Sequence, residues 1–413
     1  ILPAIQCAPQ KGGKLGLVVG ICLAVGFFAA QPISHADSGK VLTVGLMSCI
    51  SGAQAVIGNT CKFGWEQGID YINKQKMLGD IELKQIVADD QLNATVGLNA
   101  YQGFKDKILA FAGYDTSGCS ALRPFVEQDK KPFLALTTNQ TFIYPPSDYV
   151  FGIAPPYEEI LIGFLKAAKA NWKEARAPRL GLISFETPSG RVPISAAKKY
   201  GPDLGWEIDP VTIVPPTAVD FSEAIAQIKA KKPDWVLLSL TGGQIKGVLS
   251  QAQTAGAKGL TKWMLPLWGA FTDSTIDVVN KENLEGVYGF CLISNPDAHE
   301  GAKKWAEWTK ANSGKASDES GNYGAVGAFV MAKAIQKALE KVSFQELNGP
   351  NLAKHGLQRI ENFQMFGDLM PPITFGPNLS RGSSNACLLH MVKGQAQVAM
   401  PWFNVPSLGQ DKK

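Results

Sequence analysis

The 413-residue chain carries 40 Lys and Arg against 36 Asp and Glu, a formal net charge of +4. Basic and acidic residues are interspersed with no basic block, which excludes the electrostatic footprint of a nucleic-acid binder. At ~150 residues per domain the length predicts two domains or so, each with ample core.

Residues 1–36 read as a leader to be set aside. Lys11 and Lys14 form a basic start, Leu15 to Ala30 is apolar and uncharged, and Ser34-His35-Ala36 supplies the small residues of a cleavage site before Asp37. This is the pattern of a secretory signal peptide. A retained anchor is the alternative, although the apolar stretch falls short of the ~20 residues of a membrane span. Without the leader, 413 − 36 = 377 residues remain, with a net charge of +4 − 2 = +2. No later apolar run is long enough to span a membrane, so the remainder is expected to be soluble and exported.

Five cysteines follow the leader: Cys49, Cys61, Cys119, Cys291 and Cys387. An exported chain can form disulfides. Cys49 and Cys61 bracket a short loop and are the best candidate pair, and the odd count leaves one thiol over. No C-x-x-C occurs and no His/Cys spacing suits zinc, so no metal and no cofactor is expected.

From Val41 the chain alternates strand and helix. Val41–Met47 is apolar and β-rich, as a strand buried on both faces should be. A loop over Ser51-Gly52-Ala53-Gln54 leads to a helix from about Thr60, with Trp65, Ile69 and Ile72 on one face. Ile81 to Ala88 is the next strand, ending in Asp89-Asp90, and a helix carrying Tyr101, Phe104 and Ile108 follows. Such βα units favour a parallel, doubly wound sheet.

The next strand, Leu109-Ala110-Phe111-Ala112, opens into Gly113-Tyr114-Asp115-Thr116-Ser117-Gly118-Cys119-Ser120, with a helix from Ala121. Hydroxyls and free N–H groups between strand and helix make a seat for a small anion such as a carboxylate. A second polar cluster, Thr137-Thr138-Asn139, ends the run Pro132–Leu136. In a parallel sheet both clusters lie at neighbouring carboxyl ends, where open α/β sheets bind ligands. Ordinary Ser/Thr caps give the same local pattern.

The pattern breaks near Pro155-Pro156 and begins again. Arg179–Phe185 is a strand, Asp220 and Glu223 form a capping-box arrangement ahead of a helix, and Asp234–Leu240 is a buried strand. The following helix stops at Gly256, the C′ position. Gly286 to Ile293 reads as a strand, followed by helices around Ala302–Ala311 and Tyr323–Leu339. A break at Pro371-Pro372 precedes a hairpin across Lys393-Gly394. Three segments then join two lobes: residues 37–152 with 292–370, and residues 153–291 with 371–413.

Val44-Gly45-Leu46-Met47-Ser48, Ser51-Gly52-Ala53-Gln54-Ala55 and Gly58 resemble the opening of type I periplasmic binding proteins, in particular the branched-chain amino acid binders of ABC transporters. Gly68–Asn73, Ala88-Asp89-Asp90, Asp220-Phe221, Pro233–Val236, Gln251-Ala252 and Ala255-Gly256 extend the resemblance over nearly all of the chain after the leader. It implies an α/β fold of two doubly wound, Rossmann-like parallel-sheet lobes joined by a three-segment hinge. It also implies a monomer in the periplasm that binds a small ligand, an amino acid or an organic carboxylate or amide, and delivers it to a membrane permease. A ligand-sensing receptor of the same fold is the alternative.

By the same resemblance the ligand loop falls on Tyr114, Asp115, Thr116 and Ser117, with Thr138 and Asn139 at the next strand end. Ile57, Ser189, Thr241 and Trp268 would face the cleft. Two departures stand out. Leu267-Trp268-Gly269 replaces the acidic residue that meets an α-ammonium, and Ser189 and Thr241 stand where an aromatic is usual. A buried ammonium without a counter-charge is costly. Asp115 could supply that charge, and a ligand without an ammonium would not need it. The proposed grip is non-covalent, from Thr116, Ser117, Thr138 and backbone N–H groups, with Ile57, Tyr114 and Trp268 over the apolar body and Thr137 a further candidate beside them. No G-x-S-x-G, H-E-x-x-H or phosphate-binding G-x-x-x-x-G-K-[ST] occurs, so no enzyme is expected. His299, His355 and His390 read as isolated surface or loop residues.

Overall fold

A computed structural model describes residues 39–52, 54–137, 139–185, 188–215, 217–240, 242–265 and 271–409; for residues 188 and 189 it describes the backbone alone. The leader therefore lies outside the described residues.

The first sheet is built from β1 (Lys40–Ser48), β2 (Ile81–Asp89), β3 (Phe111–Gly113), β4 (Phe133–Ala135) and β5 (Val150–Gly152), all parallel, in the order β2-β1-β3-β4-β5. Helix α1 (Ala55–Lys74) joins β1 to β2, and α2 (Ala94–Phe104) joins β2 to β3. Short helices α3 (Thr116–Cys119), α4 (Arg123–Gln128) and α5 (Gln140–Ile143) complete the remaining links. Helix α1 starts at Ala55 rather than near Thr60. Its first turn is held by the Ser48 hydroxyl, which donates to the Gly58 carbonyl at 3.1 Å.

Helix α6 (Tyr157–Ala170) opens the second half. Its sheet contains β6 (Arg179–Phe185), β7 (Glu207–Val214), β8 (Trp235–Ser239), β9 (Lys262–Leu265) and β10 (Tyr288–Cys291), linked by α7 (Pro188–Tyr200), α8 (Ser222–Lys231), α9 (Gly242–Thr254), α10 (Asp273–Val279) and α11 (Lys281–Leu284). The order is β12-β11-β10-β9-β8-β6-β7, with β11 (Asn385–Val392) and β12 (Gln395–Asn404) forming the antiparallel edge hairpin. The capping box expected at Asp220 does not form. Asp220 instead accepts from Ser222 N at 2.9 Å, and Phe221 occupies the cap position without a side-chain bond.

Period-two alternation divides each apolar strand between two cores. Val44 and Leu46 face one side of the first sheet with Ala112 and Leu134, while Met47, Phe111 and Phe133 face the other. In the second sheet Leu180, Leu182, Trp235 and Leu237 face one side, and Ile183, Phe185, Val236 and Leu238 the other. Burial on both faces is why these strands read as unbroken apolar runs.

The chain passes between the sheets three times: after β5, after β10 into α12 (Glu300–Ser313) and α13 (Glu319–Leu339), and before β11. Helix α13 packs along α1, so closely that a Cβ on Gly64 would overlap the Gly321 carbonyl. At the second crossing Ser294 N donates to the Leu369 carbonyl at 3.1 Å and Asn322 Nδ2 to the Ser294 carbonyl at 2.8 Å. Near the third, Gly152 exchanges backbone hydrogen bonds with Ser380 and Gly382, at 2.8 and 2.7 Å, beside β5. There Arg381 Nη1 meets Glu159 Oε2 at 2.5 Å, with 9 % and 0 % of their side chains exposed.

Candidate functional site

In the first sheet the strand order reverses between β1 and β3, and the loops leaving those strands part at the carboxyl edge, where doubly wound folds bind ligands. The turn after β3 is fixed from both sides. Tyr114 N donates to the Met47 carbonyl at 3.0 Å, and Leu136 N to the Gly113 carbonyl at 2.8 Å. Thr137 follows Leu136; its hydroxyl bonds the Tyr114 carbonyl and stands 3.5 Å from Thr116 Oγ1. The two polar turns expected to cooperate therefore do meet. Thr137 is buried, and Thr116 and Ser117 are half-buried.

The remaining first-sheet candidates divide by what they touch. Asn139 caps α5, accepting from Phe142 N at 3.2 Å and from the Thr141 hydroxyl at 2.6 Å. Ile57 is half-buried against the core in the first turn of α1. Asp115 caps α3 by accepting from Gly118 N, and its carboxylate is engaged inward with Asp90 and Cys49. Burial and the adjoining Asp115 carboxyl push Asp90 up to about 9, so Asp90 holds a proton at neutral pH. Burial, reinforced by the Asp115 and Asp90 carboxylates, also pushes the Cys49 and Cys119 thiols up.

The suspected Cys49–Cys61 bridge is not present; both are buried free thiols. Cys61 is buried within α1, and the loop the pair was expected to bracket is largely the first turns of that helix, while Cys49 Sγ turns to the Gln54 carbonyl at 3.7 Å.

Tyr114 is fully buried, and burial raises its hydroxyl above the usual range, as do Cys61, Cys49, Tyr323 and Tyr157 nearby. The last two went unrecognised in the sequence. Tyr157 opens α6 just after the first crossing, and Tyr323 lies on α13 one turn beyond Glu319. Glu319, 1 % exposed, accepts from Asn295 Nδ2 at 3.2 Å at the second crossing. The i, i+4 spacing of Glu319 and Tyr323 was the available signal.

In the second sheet Thr241 and Trp268 lie outside the described residues, as does Thr138 in the first and the side chain of Ser189. What frames them is defined. Ser184 and Ser239, at the ends of β6 and β8, each donate to the Gly190 carbonyl at 2.9 Å and so pin the first turn of α7. Those two strands flank the second reversal of strand order. His299 is not a surface residue: it is 8 % exposed, its Nδ1 accepts from Asn295 N at 3.2 Å, and its ring lies 5.2 Å from that of Trp402.

Among the described residues no helix is long and apolar enough to cross a membrane. No curated protein matches the sequence. Solved structures with the same fold include a branched-chain amino acid ABC transporter protein from Thermus thermophilus with bound valine. It is 18 % identical, with a TM-score of 0.78 over 90 % of this chain and 98 % of that one. A fatty acid ABC transporter substrate-binding protein from Thermomonospora curvata is 18 % identical, with a TM-score of 0.75 over 91 % and 94 %. A solute-binding protein of an ABC transporter from Rhodopseudomonas palustris BisB5, in complex with 3,4-dihydroxy benzoic acid, is 19 % identical, with a TM-score of 0.72 over 90 % and 99 %. The sequence model of the periplasmic binding proteins matches residues 41–396. With its two reversed-order sheets and three crossings, this chain belongs to the periplasmic binding protein family and has its type I fold.

Proposed function

We propose that this protein is the extracytoplasmic solute-binding protein of an ABC importer, exported by residues 1–36, which captures a small carboxylate and delivers it to a membrane permease. The lobes are residues 37–152 with 292–370, and 153–291 with 371–413, and they close over the ligand as a monomer. The observation that carries this reading is the meeting of the Thr116 and Thr137 hydroxyls at the first reversal of strand order. Thr116, Ser117, Thr137, Thr138 and nearby N–H groups grip the carboxylate, while Ile57, Tyr114 and Trp268 cover the apolar body, with Asn139, Ser189 and Thr241 lining the walls. Valine, a fatty acid and a dihydroxybenzoic acid, named for the three structural relatives, share a carboxylate and little else.

Asp115 is engaged with Gly118, Asp90 and Cys49, which favours a ligand without an ammonium. A second reading, an amino acid whose ammonium meets Glu319, draws on that buried carboxylate beside the second crossing. A thermal-shift series with isocaproate, benzoate, leucine and leucinamide separates them. A ligand at 100 times its Kd adds about 2.7 kcal/mol, so binding is readily seen. Stabilisation by isocaproate or benzoate is the expected result; stabilisation by leucine alone would transfer the assignment to the amino acid.

A further inference from the structure

The ends of β1, β2 and β3 bring three donor side chains to one point beneath the ligand-loop turn. Cys49 follows β1, Asp90 follows β2, and Asp115 follows β3 two residues on. The thiol sulfur and one oxygen from each carboxylate lie within 4.8 Å of one another. Cys49 and Asp90 have no exposed surface, and Asp115 has 4 %. Asp90 Oδ2 and Asp115 Oδ2 are sealed from solvent, and no other residue donates to either. The space beside them is tight on the far side, since a Cβ on Gly118 would overlap the Asp90 carboxyl. Every charged group that bears on Cys49 or Asp90 is a carboxylate: Asp89, Asp90 or Asp115. Buried carboxyl groups in that position either hold a proton or coordinate a metal.

We propose that Cys49 Sγ and the carboxylates of Asp90 and Asp115 bind one divalent transition-metal ion of the zinc class. A mixed sulfur and oxygen donor set suits zinc, at about 2.3 Å to sulfur and 2.0–2.2 Å to oxygen, whereas calcium takes six or more oxygens. Drawing the three atoms onto such a site needs shifts of roughly 1 Å or less from their present separations. Three protein ligands leave a fourth position for water. Binding displaces the thiol proton and the proton between the carboxyls to solvent. The ion would fasten three strand ends together directly behind Thr116 and Ser117.

The test uses the full exported chain, stripped with chelator and kept reduced with a non-thiol reductant. Titration with Co2+ should give one equivalent bound and a thiolate-to-cobalt charge-transfer band, which Zn2+ then removes. Cys49→Ser should abolish the band. The near-isosteric Asp90→Asn should fold and weaken Zn2+ binding at least ~10-fold, the loss that even a hydrogen-bonding partner of a ligand causes. Cys291→Ser, remote from the site, should change neither. Absence of stoichiometric binding, or a band that survives Cys49→Ser, would overturn the site and leave a shared proton as what holds the two carboxyls.

Discussion

At the scale of single residues, the candidate site separates a hydroxyl left largely free at the turn, that of Thr116, from one that builds the turn, that of Thr137. Thr116 is half-buried and makes one long contact, to Thr137, so its hydroxyl is the cleaner probe. A hydrogen bond to a charged group contributes about 1.5–3 kcal/mol. Thr116→Val should therefore weaken carboxylate binding by ~10-fold or more in calorimetry, with the melting temperature of the free protein little changed. Thr137→Val should cost both affinity and stability, because it also removes the buried hydrogen bond from the Thr137 hydroxyl to the Tyr114 carbonyl. His299 supplies a pH signature. Burial holds its folded pKa below 6.5, against an upward pull from the Asp368 carboxylate. The unfolded chain then takes up a proton first, so this contribution is full above ~6.5 and is lost as pH falls through 6.5 toward the lowered folded value. Urea midpoints of His299→Gln should fall less between pH 7 and 5 than those of the parent.

At the scale of elements, the pairing of α1 with α13 rests on glycine. Gly64→Ala should destabilise by about 1–3 kcal/mol or more, since backbone rather than a movable side chain fills the space. Gly103→Ala, on the exposed face of α2 with nothing within 4 Å, should instead stabilise by roughly 0.5–1 kcal/mol. Denaturant midpoints of the two variants should move in opposite directions. The same contrast explains what the sequence made legible. Strands such as Arg179–Phe185 announce themselves because both faces are buried, and local composition records that. The two polar turns after β3 and β4 were legible for the same reason: each ends such a run with hydroxyls. The start of α1 was not, because it is set by Ser48 reaching Gly58 from a neighbouring strand. Nor was the inward set of Asp115, which depends on Asp90 arriving from β2. Contacts between distant segments leave no local trace.

At the scale of the whole molecule, one ion pair stands where the halves are joined. Arg381, near the third crossing, meets Glu159 at the start of α6, where burial pushes that carboxyl up and the guanidinium beside it offsets only part of the rise. Removing one partner of such a pair leaves a buried charge without compensation, at about 3–5 kcal/mol. Arg381→Met should lower the melting temperature strongly, and adding Glu159→Gln should restore part of the loss. Additive losses in the double variant would show that the two side chains act separately.

Glu159 also receives Tyr144 Oη at 2.8 Å and Leu408 N at 2.8 Å, while the carbonyls of Val405 and Pro406 both take Nη1 of Arg381 at 3.2 Å. Residues beyond β12 are thus bonded into the junction of the two sheets rather than trailing from it. If the protein closes over a ligand as proposed, anything fused there, whether a purification tag, a fluorophore or a partner domain, would bear on that motion, and a deletion from residue 405 onward would loosen the junction while leaving the Thr116 and Thr137 hydroxyls in place.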